Sequence, residues 1–424
     1  MTRGTWLVLS YFAHVDGMAP SVHVDSRVQE LRRRGNRVIL VTSLACPPGR
    51  EDTFRIPSML PSGIRYEVRR VFLRKPQTLL WKALKAGIIV LLLPFYALEK
   101  AIFPFDANWS WYLSARRSAL RLARRFRPDV IYSTGGPVTA HIAAERVSRE
   151  QGMPWIAEFQ DPLRTGTSSR NRRESALHRR TEKLVAEHAD AVIYLTRELR
   201  DSTRKRISFK GNVETIYAGS PPVGESPQVD KTEDSERVRL VHIGTLSSTR
   251  NLKGILTALD VLNTDNSKIL DTLGIYQYGH ADKAVETSSR KYPEHIHLMG
   301  RVSHQEALEI MTKSEALLLI QDRSDISKET IPSKVYEYLN SGRPILGLVY
   351  RNPELAGILE SHGHIAVQVD DPDAVAGALK IIVAKWRDGK LSEGLIPSDL
   401  TVSSAVDRLE ELAGELTESS NNES

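Results

Sequence analysis

Two carboxylates, Glu329 and Glu337, bracket the stretch of this chain best equipped for chemistry, S-K-E-T-I-P-S-K-V-Y-E-Y-L-N-S-G-R-P-I-L-G-L-V from Ser327 to Val349. Pro332 followed by Ser333 predicts a helix start, a fixed φ and then a capping hydroxyl. Val335, Tyr338 and Leu339 then recur at helical spacing on one face. Gly342 stands where a left-handed residue ends a helix, and Pro344 bars continuation. Ile345–Val349 reads as a buried strand. Glu329 is thus expected in the loop before the helix and Glu337 inside it, about two turns on. A carboxylate beside exposed helix amides can hold hydroxyls while the amides hold an anion.

The elements that must position these groups follow from periodicity. Trp6–Phe12 reads as a strand, then A-H-V-D-G-M-A-P-S as a loop, then a helix bearing Val24, Val28 and Leu31, then the strand Arg37–Thr42. This is a βαβ unit whose first loop holds Gly17, with His14 and Asp16 nearby, at the end of a strand where open parallel sheets bind ligands. The loop is not a G-x-G-x-x-G, so no dinucleotide cofactor is expected. Asp129–Ser133 and Ala189–Leu195 continue the strands, and Thr215–Gly219 closes the first half. Residues 219–236, rich in Pro, Ser and acids, read as a linker. Arg239–Ile243 opens a second run of strand and helix alternation, with the loop G-T-L-S-S-T-R-N-L-K-G from Gly244 to Gly254 after its first strand. The expectation is an α/β chain: a first domain over 1–218, a second over 237–398, a last helix over 399–416 and a disordered tail over 417–424.

Composition narrows the partners. The first 218 residues hold 37 Lys+Arg against 20 Asp+Glu, whereas the remainder holds 21 against 32. A basic half favours anionic lipid, a pyrophosphate-bearing acceptor or nucleic acid. Neither zinc-ligand spacing nor a helix-turn-helix or RNP-type strand is present, so nucleic acid is set aside. His295, His297 and His304 lack the helical i, i+4 spacing of a ligand pair, and no metal is expected. The single cysteine, Cys46, rules out an internal disulfide framework and fits a reducing compartment. The N-terminus enters a strand at once, so no signal peptide is expected. One segment departs from the rest: residues 79–103 hold the uncharged run A-G-I-I-V-L-L-L-P-F-Y-A-L, flanked by lysines, arginines and tryptophans. It is too short to span a bilayer as one helix and reads as a monotopic or re-entrant membrane contact.

The string P-S-K-V-Y-E-Y-L-N-S-G-R-P-I-L with its two glutamates resembles the E-x7-E signature of family-4 retaining glycosyltransferases, especially bacterial members that build surface polysaccharides. The resemblance implies the GT-B fold, two facing Rossmann-like domains with a C-terminal helix returning to the first. It also implies a nucleotide-sugar donor (UDP- or GDP-linked), a glycolipid or polysaccharide acceptor, no cofactor, and a cytoplasmic protein held at the inner face of the membrane. In such a protein Glu329 contacts the donor sugar and Glu337 the ribose, with Ser333 and Lys334 beside them. Gly17 and Gly244 let the backbone approach the donor, and Arg250 and Lys253 take its phosphates. Two departures stand out: Thr245 replaces a usual arginine, which Arg301 or Arg323 could replace, and Gln160 replaces an arginine or histidine in P-W-I-A-E-F-Q-D-P-L-R. Asp161, retained beside Gln160, is expected to position the acceptor. The alternatives are another GT-B enzyme such as a nucleotide-sugar epimerase, and a non-catalytic subunit that binds a nucleotide sugar.

Overall fold

The computed structural model describes residues 4–15, 18–76, 78–103, 105, 108–135, 137–163, 172–220, 237–265, 267–391 and 397–422. The chain divides into two compact units, Met1–Ala218 with Val402–Ser424, and Gly219–Thr401. Gly17, Asp16 and most of the expected linker lie outside the described residues.

The first unit begins β1 (Thr5–Leu9), α1 (Ala19–Arg33), β2 (Arg37–Ser43), β3 (Thr53–Ile56). Four helices follow: α2 (Pro61–Leu73), α3 (Leu79–Leu91), α4 (Leu93–Ile102) and α5 (Trp111–Phe126). Alternation then resumes with β4 (Val130–Thr134), α6 (Thr139–Gln151), β5 (Trp155–Phe159), α7 (Arg172–His188), β6 (Ala191–Tyr194), α8 (Arg197–Arg204) and β7 (Asn212–Thr215). The sheet is parallel, in the order β3-β2-β1-β4-β5-β6-β7. Helices cover both faces, which is why its central strands are continuous apolar runs such as W-L-V-L and carry a separate core cluster on each side.

The second unit runs β8 (Val238–Ile243), α9 (Lys253–Thr264), β9 (Leu273–Tyr278), α10 (Lys283–Ser289), β10 (Ile296–Gly300), α11 (His304–Thr312) and β11 (Ala316–Ile320). It ends with α12 (Lys334–Asn340), β12 (Ile345–Val349), α13 (Pro353–Ser361), β13 (Ile365–Gln368) and α14 (Pro372–Arg387). Its parallel sheet is ordered β10-β9-β8-β11-β12-β13. In each sheet the strand order reverses once, between β1 and β4 and between β8 and β11, and loops leaving those strands flank a crevice where such sheets take ligands.

The last helix, α15 (Val402–Asn422), packs on α1 and completes the first unit's core with Val402, Val406, Leu409 and Leu412. Arg34 of α1 binds Asp407 and Glu410, and Arg408 pairs with Glu214. The helix does not stop at Leu416, as expected from its polar continuation, but runs to Asn422. Extending a formed helix adds one bond per residue, and Thr417 and Ser419 donate their hydroxyls back to the carbonyls of Ala413 and Glu415.

The apolar segment forms α3 and α4, bent by 42° at Leu92. No residue of α3 is buried, and Leu79, Leu80, Val90, Leu91, Phe95 and Leu98 all stand exposed. Among the described residues no single helix is long and apolar enough to cross a membrane, although this bent pair passes that test together. Its root is polar: buried Glu99 accepts from the Ser62 amide (2.8 Å), the Ser62 hydroxyl (2.5 Å) and the Trp109 indole (2.7 Å).

Candidate functional site

At the switch point of the second sheet, β8 ends at Ile243, whose amide donates to the Tyr338 hydroxyl of α12 at 2.8 Å. The chain then turns at Gly244 with φ of 150°, a conformation for which glycine is suited. A Cβ on Gly244 would lie 2.0 Å from Lys334 Nζ, and one on Gly279 would lie 2.2 Å from the Gly244 carbonyl. The two glycines therefore make the room in which the first residue of α12 lays its ammonium against the loop. Gln277 of β9 fixes that loop by donating to the Gly244 carbonyl at 2.8 Å.

Arg250 comes to the same place on the loop after β8, which closes on itself through Ser247 N to Arg250 O at 2.7 Å. Its Nε is buried without a hydrogen-bond partner among the described residues. Burial, reinforced by Arg250 and opposed by Glu337, holds the Lys334 ammonium below the usual lysine range. Burial likewise lifts Glu337 above the ordinary carboxylate range, against the pull of His304 and Lys334. Among the described residues no carboxylate forms an ion pair with Arg250 or Lys334. Two cations side by side, with one half-buried carboxylate in reach, leave an excess of positive charge that an anion of diphosphate type would neutralise.

Glu329 follows a 3-10 turn over Asp325–Lys328 and is half-buried. Its loop is clamped by two buried amide side chains the sequence did not single out. Gln321 Nε2 donates to the carbonyls of Ser327 (2.7 Å) and Thr330 (3.2 Å), and Asn352 Nδ2 to the same two at 2.7 and 3.0 Å. Both stand just beyond the ends of buried strands, where an amide among apolar neighbours is the one available signal.

The structure thus gathers Gly244, Arg250, Lys334 and Glu337, with Glu329 on the loop leading into α12. Lys253 is exposed at the head of α9. Arg323 is committed to the Val369 carbonyl and to Asp370, and Arg301 is exposed, whereas the Lys334 ammonium feels the charge of Arg250. Ser333 does precede α12, but its hydroxyl makes no capping bond, contrary to expectation. Its φ and ψ are already helical (−54°, −28°), whereas a cap needs an extended residue to aim its oxygen at the next amides. His242, missed in the sequence, is fully buried at the end of β8 with Nδ1 2.9 Å from the Leu318 carbonyl of β11 and Nε2 unpartnered among the described residues. Burial pulls its pKa down to about 3, so it is a neutral ring facing the Gly244 turn.

In the first unit Asp161 is exposed just beyond β5. Gln160 is buried and structural: its Nε2 donates to Thr134 Oγ1 at 3.0 Å, Thr134 donates to Glu158 at 2.6 Å, and Glu158 pairs with Arg27 at 2.9 Å. That network explains why a residue other than arginine or histidine stands there, since the strand already holds one buried cation.

Residues 19–219 match a family described as the glycosyl transferase 4-like domain. No curated protein matches the chain. Solved structures share its fold along nearly its full length. The sucrose-phosphate synthase of Thermosynechococcus elongatus is 11% identical, covering 99% of each chain with a TM-score of 0.59. Anabaena HepE in complex with UDP is 11% identical, covering 100% of this chain and 98% of its own with a TM-score of 0.58. A UDP-forming α,α-trehalose-phosphate synthase of Burkholderia xenovorans is 12% identical, covering 98% and 99% with a TM-score of 0.59. Residues 19–219 therefore resemble the glycosyl transferase 4-like domain, in a chain whose two parallel-sheet units have the GT-B fold of these solved structures.

Proposed function

We propose that the chain transfers a glycosyl group, with retention at the anomeric carbon, from a nucleoside-diphosphate sugar to a lipid-linked or polysaccharide acceptor in cell-envelope or exopolysaccharide synthesis. The observation that carries the donor assignment is the Lys334–Arg250 pair beside the glycine turn after β8, with no carboxylate ion-paired to either among the described residues. In the absence of a metal-ligand pattern in the sequence, these cations stabilise the departing diphosphate as charge develops on it. Glu337, next to Lys334, accepts from the ribose hydroxyls, and Glu329, on its clamped loop, orients the sugar. UDP is the favoured nucleotide, because solved structures of similar fold were obtained with UDP and UDP-glucose. Asp161 and Gly17 belong to the acceptor-side unit in this reading.

The α3–α4 pair supports a peripheral position at the cytoplasmic face of a membrane. A helix pair that leaves a large apolar surface exposed is favoured only when something apolar covers that surface. Lys75 and Arg65 lie over the rings of Trp81 and Tyr96, and the exposed arginines 117, 121, 124 and 125 of α5 add a basic face suited to anionic headgroups. The occupant we assign is a lipid bilayer surface.

The test of the donor assignment is thermal stabilisation by UDP and by GDP, then turnover of the matching sugar nucleotides. Glu329→Ala and Arg250→Ala are expected to remove most transfer while leaving the melting temperature within a few degrees. Wild-type rates in both variants would reject the assignment. Inversion in the product, read by NMR of the anomeric proton, would reject retention. For the membrane reading, replacing Ile88 and Leu91 with Asp should release the protein from floated vesicles containing anionic lipid, and undiminished flotation would refute it.

A further inference from the structure

The apolar pair α3–α4 is seated by α2, and the same helix brings an arginine to a basic cluster that the donor chemistry does not use. At its start α2 is tied to α4, through Ser62 and Glu99 and through Arg65, which lies over the Tyr96 ring at 4.2 Å. At its end Phe72 meets the Trp81 ring of α3 edge to face at 5.8 Å, and Lys75 lies over that same ring. Arg74, which closes the helix between those two contacts, reaches the loop after β2 and donates to the Ala45 carbonyl. Arg55 of β3 donates to the carbonyl of Leu44, the residue before, at 2.9 Å. Two guanidinium groups from separate elements thus meet consecutive carbonyls of one loop, which continues through Cys46, Pro47 and Pro48 to Arg50.

Cys46 feels the charge of all these arginines. Burial pushes its thiol up to about 11, against the pull of Arg50 and Arg55, with a push from Asp25 and a further pull from Arg74. A single carbonyl bond uses only part of a guanidinium's donor set. Arg55 Nε is buried with no partner among the described residues, and Arg50 and Arg74 stand exposed. Other arginines of this unit are matched: Arg34 with Glu30, Asp407 and Glu410, Arg37 with Asp52, and Arg206 with Glu182. Among the described residues no carboxylate is ion-paired with Arg50, Arg55 or Arg74. Glu67 feels Arg55, but it is buried and already accepts from the Ser58 amide, the Ser58 hydroxyl and the Tyr11 hydroxyl. Cations gathered without a counter-charge favour an anion, and the guanidinium fork fits phosphate oxygens.

We propose that Arg50, Arg55 and Arg74 hold the phosphate of a membrane lipid whose hydrocarbon lies along the exposed face of α3. The neighbouring surface is what selects a lipid over a soluble phosphate. Soon after Arg74 come Leu79 and Leu80, both exposed, and the same helix pair exposes Val90 and Leu91. A phosphate on the arginines therefore sets its chains beside apolar surface that is otherwise left to water. Several unpaired cations match a phosphomonoester, which carries nearly two charges, better than a singly charged phosphodiester. The proposal rests on the membrane reading of α3–α4 and is independent of the donor assignment.

The probe is dihexanoyl phosphatidic acid, a short-chain phosphomonoester, titrated by calorimetry below the concentration at which it forms micelles. It should bind at least about tenfold more tightly than dihexanoyl phosphatidylglycerol and than inorganic phosphate. Arg55→Gln and Arg74→Gln should each weaken it by about 10- to 100-fold, and Arg50→Gln by about threefold, with the melting temperature held. If Arg55→Gln fails to fold, Arg74→Gln and the exposed Arg50→Glu carry the test. Undiminished binding in the folded variants would overturn the proposal, as would equal affinity for inorganic phosphate or for the phosphodiester. Binding lost in Lys334→Ala but kept in the arginine variants would place the phosphate at α12 and reject it as well. Flotation on neutral phosphatidylcholine vesicles reads the apolar pair alone. Its failure, with short-chain phosphatidic acid still bound through the arginines, would reject the membrane reading and leave the phosphate site standing.

Discussion

The two sheets treat charge at their strand ends in opposite ways. In the first unit the buried cation Arg27 is matched by Glu158, which is itself bonded to Thr134, so the ionic groups are satisfied within the fold. In the second unit Arg250 and Lys334 meet beside a glycine turn, with one carboxylate, Glu337, in reach. A satisfied pair specifies structure, and removing one partner strands the other. An unsatisfied pair of like charges does the reverse: it weakens the empty fold slightly and waits for an anion. Under the proposed donor reading, the contrast separates the part of the chain that holds its shape from the part that would hold the donor.

The largest break of this contrast should come from Glu158→Ala. Leaving the Arg27 charge buried without its carboxylate, with the Ile216 and Tyr217 carbonyls still accepting from it, is expected to cost about 3–5 kcal/mol of unfolding free energy, read by urea denaturation. Lys334→Ala should do the opposite, leaving stability equal or higher while weakening UDP by about 10- to 100-fold in calorimetric titration, the worth of a hydrogen bond to a charged group. Smaller is the effect of pH. Burial holds the folded-state pKa of His141 and of His242 at about 3, below the ordinary histidine value of 6.5. As pH falls through 6.5 the unfolded chain takes up those protons first, so stability is lost between about pH 6.5 and 3, at about 1.4 kcal/mol per pH unit for each ring. His141→Gln and His242→Gln should each flatten that slope in denaturation series at successive pH values. The smallest effect is expected of Lys253→Ala, whose exposed ammonium should change UDP affinity by less than about threefold; a loss matching that of Lys334→Ala would move the phosphate site to the head of α9.

Much of this arrangement was legible beforehand because periodicity reports burial. The apolar runs from Trp6 and from Ala316 had to be strands of sheets covered on both faces, and Gly342 adopts φ of 69° where the helix was expected to end. Less legible was anything set by the approach of distant segments. The pressing of Lys334 against Gly244 depends on how two loops ninety positions apart meet, and no local pattern encodes that. Gln321 and Asn352 were silent for the same reason: their partners are backbone carbonyls, which every residue possesses. Ser333 failed as a cap because its residue type fitted while its backbone did not. Gln160, read as a departure from a family pattern, belongs to a buried network that only the folded chain reveals.

The placement of α15 has a consequence for how the protein is made. Its apolar face fills the core beside α1, yet it is separated from that helix by the whole of the second unit. During synthesis the first unit must therefore leave the ribosome with Val24, Val28 and Leu31 lacking their final cover, and it gains that cover only when the last twenty or so residues emerge. A chain cut short after Thr401 would injure the unit that was translated first.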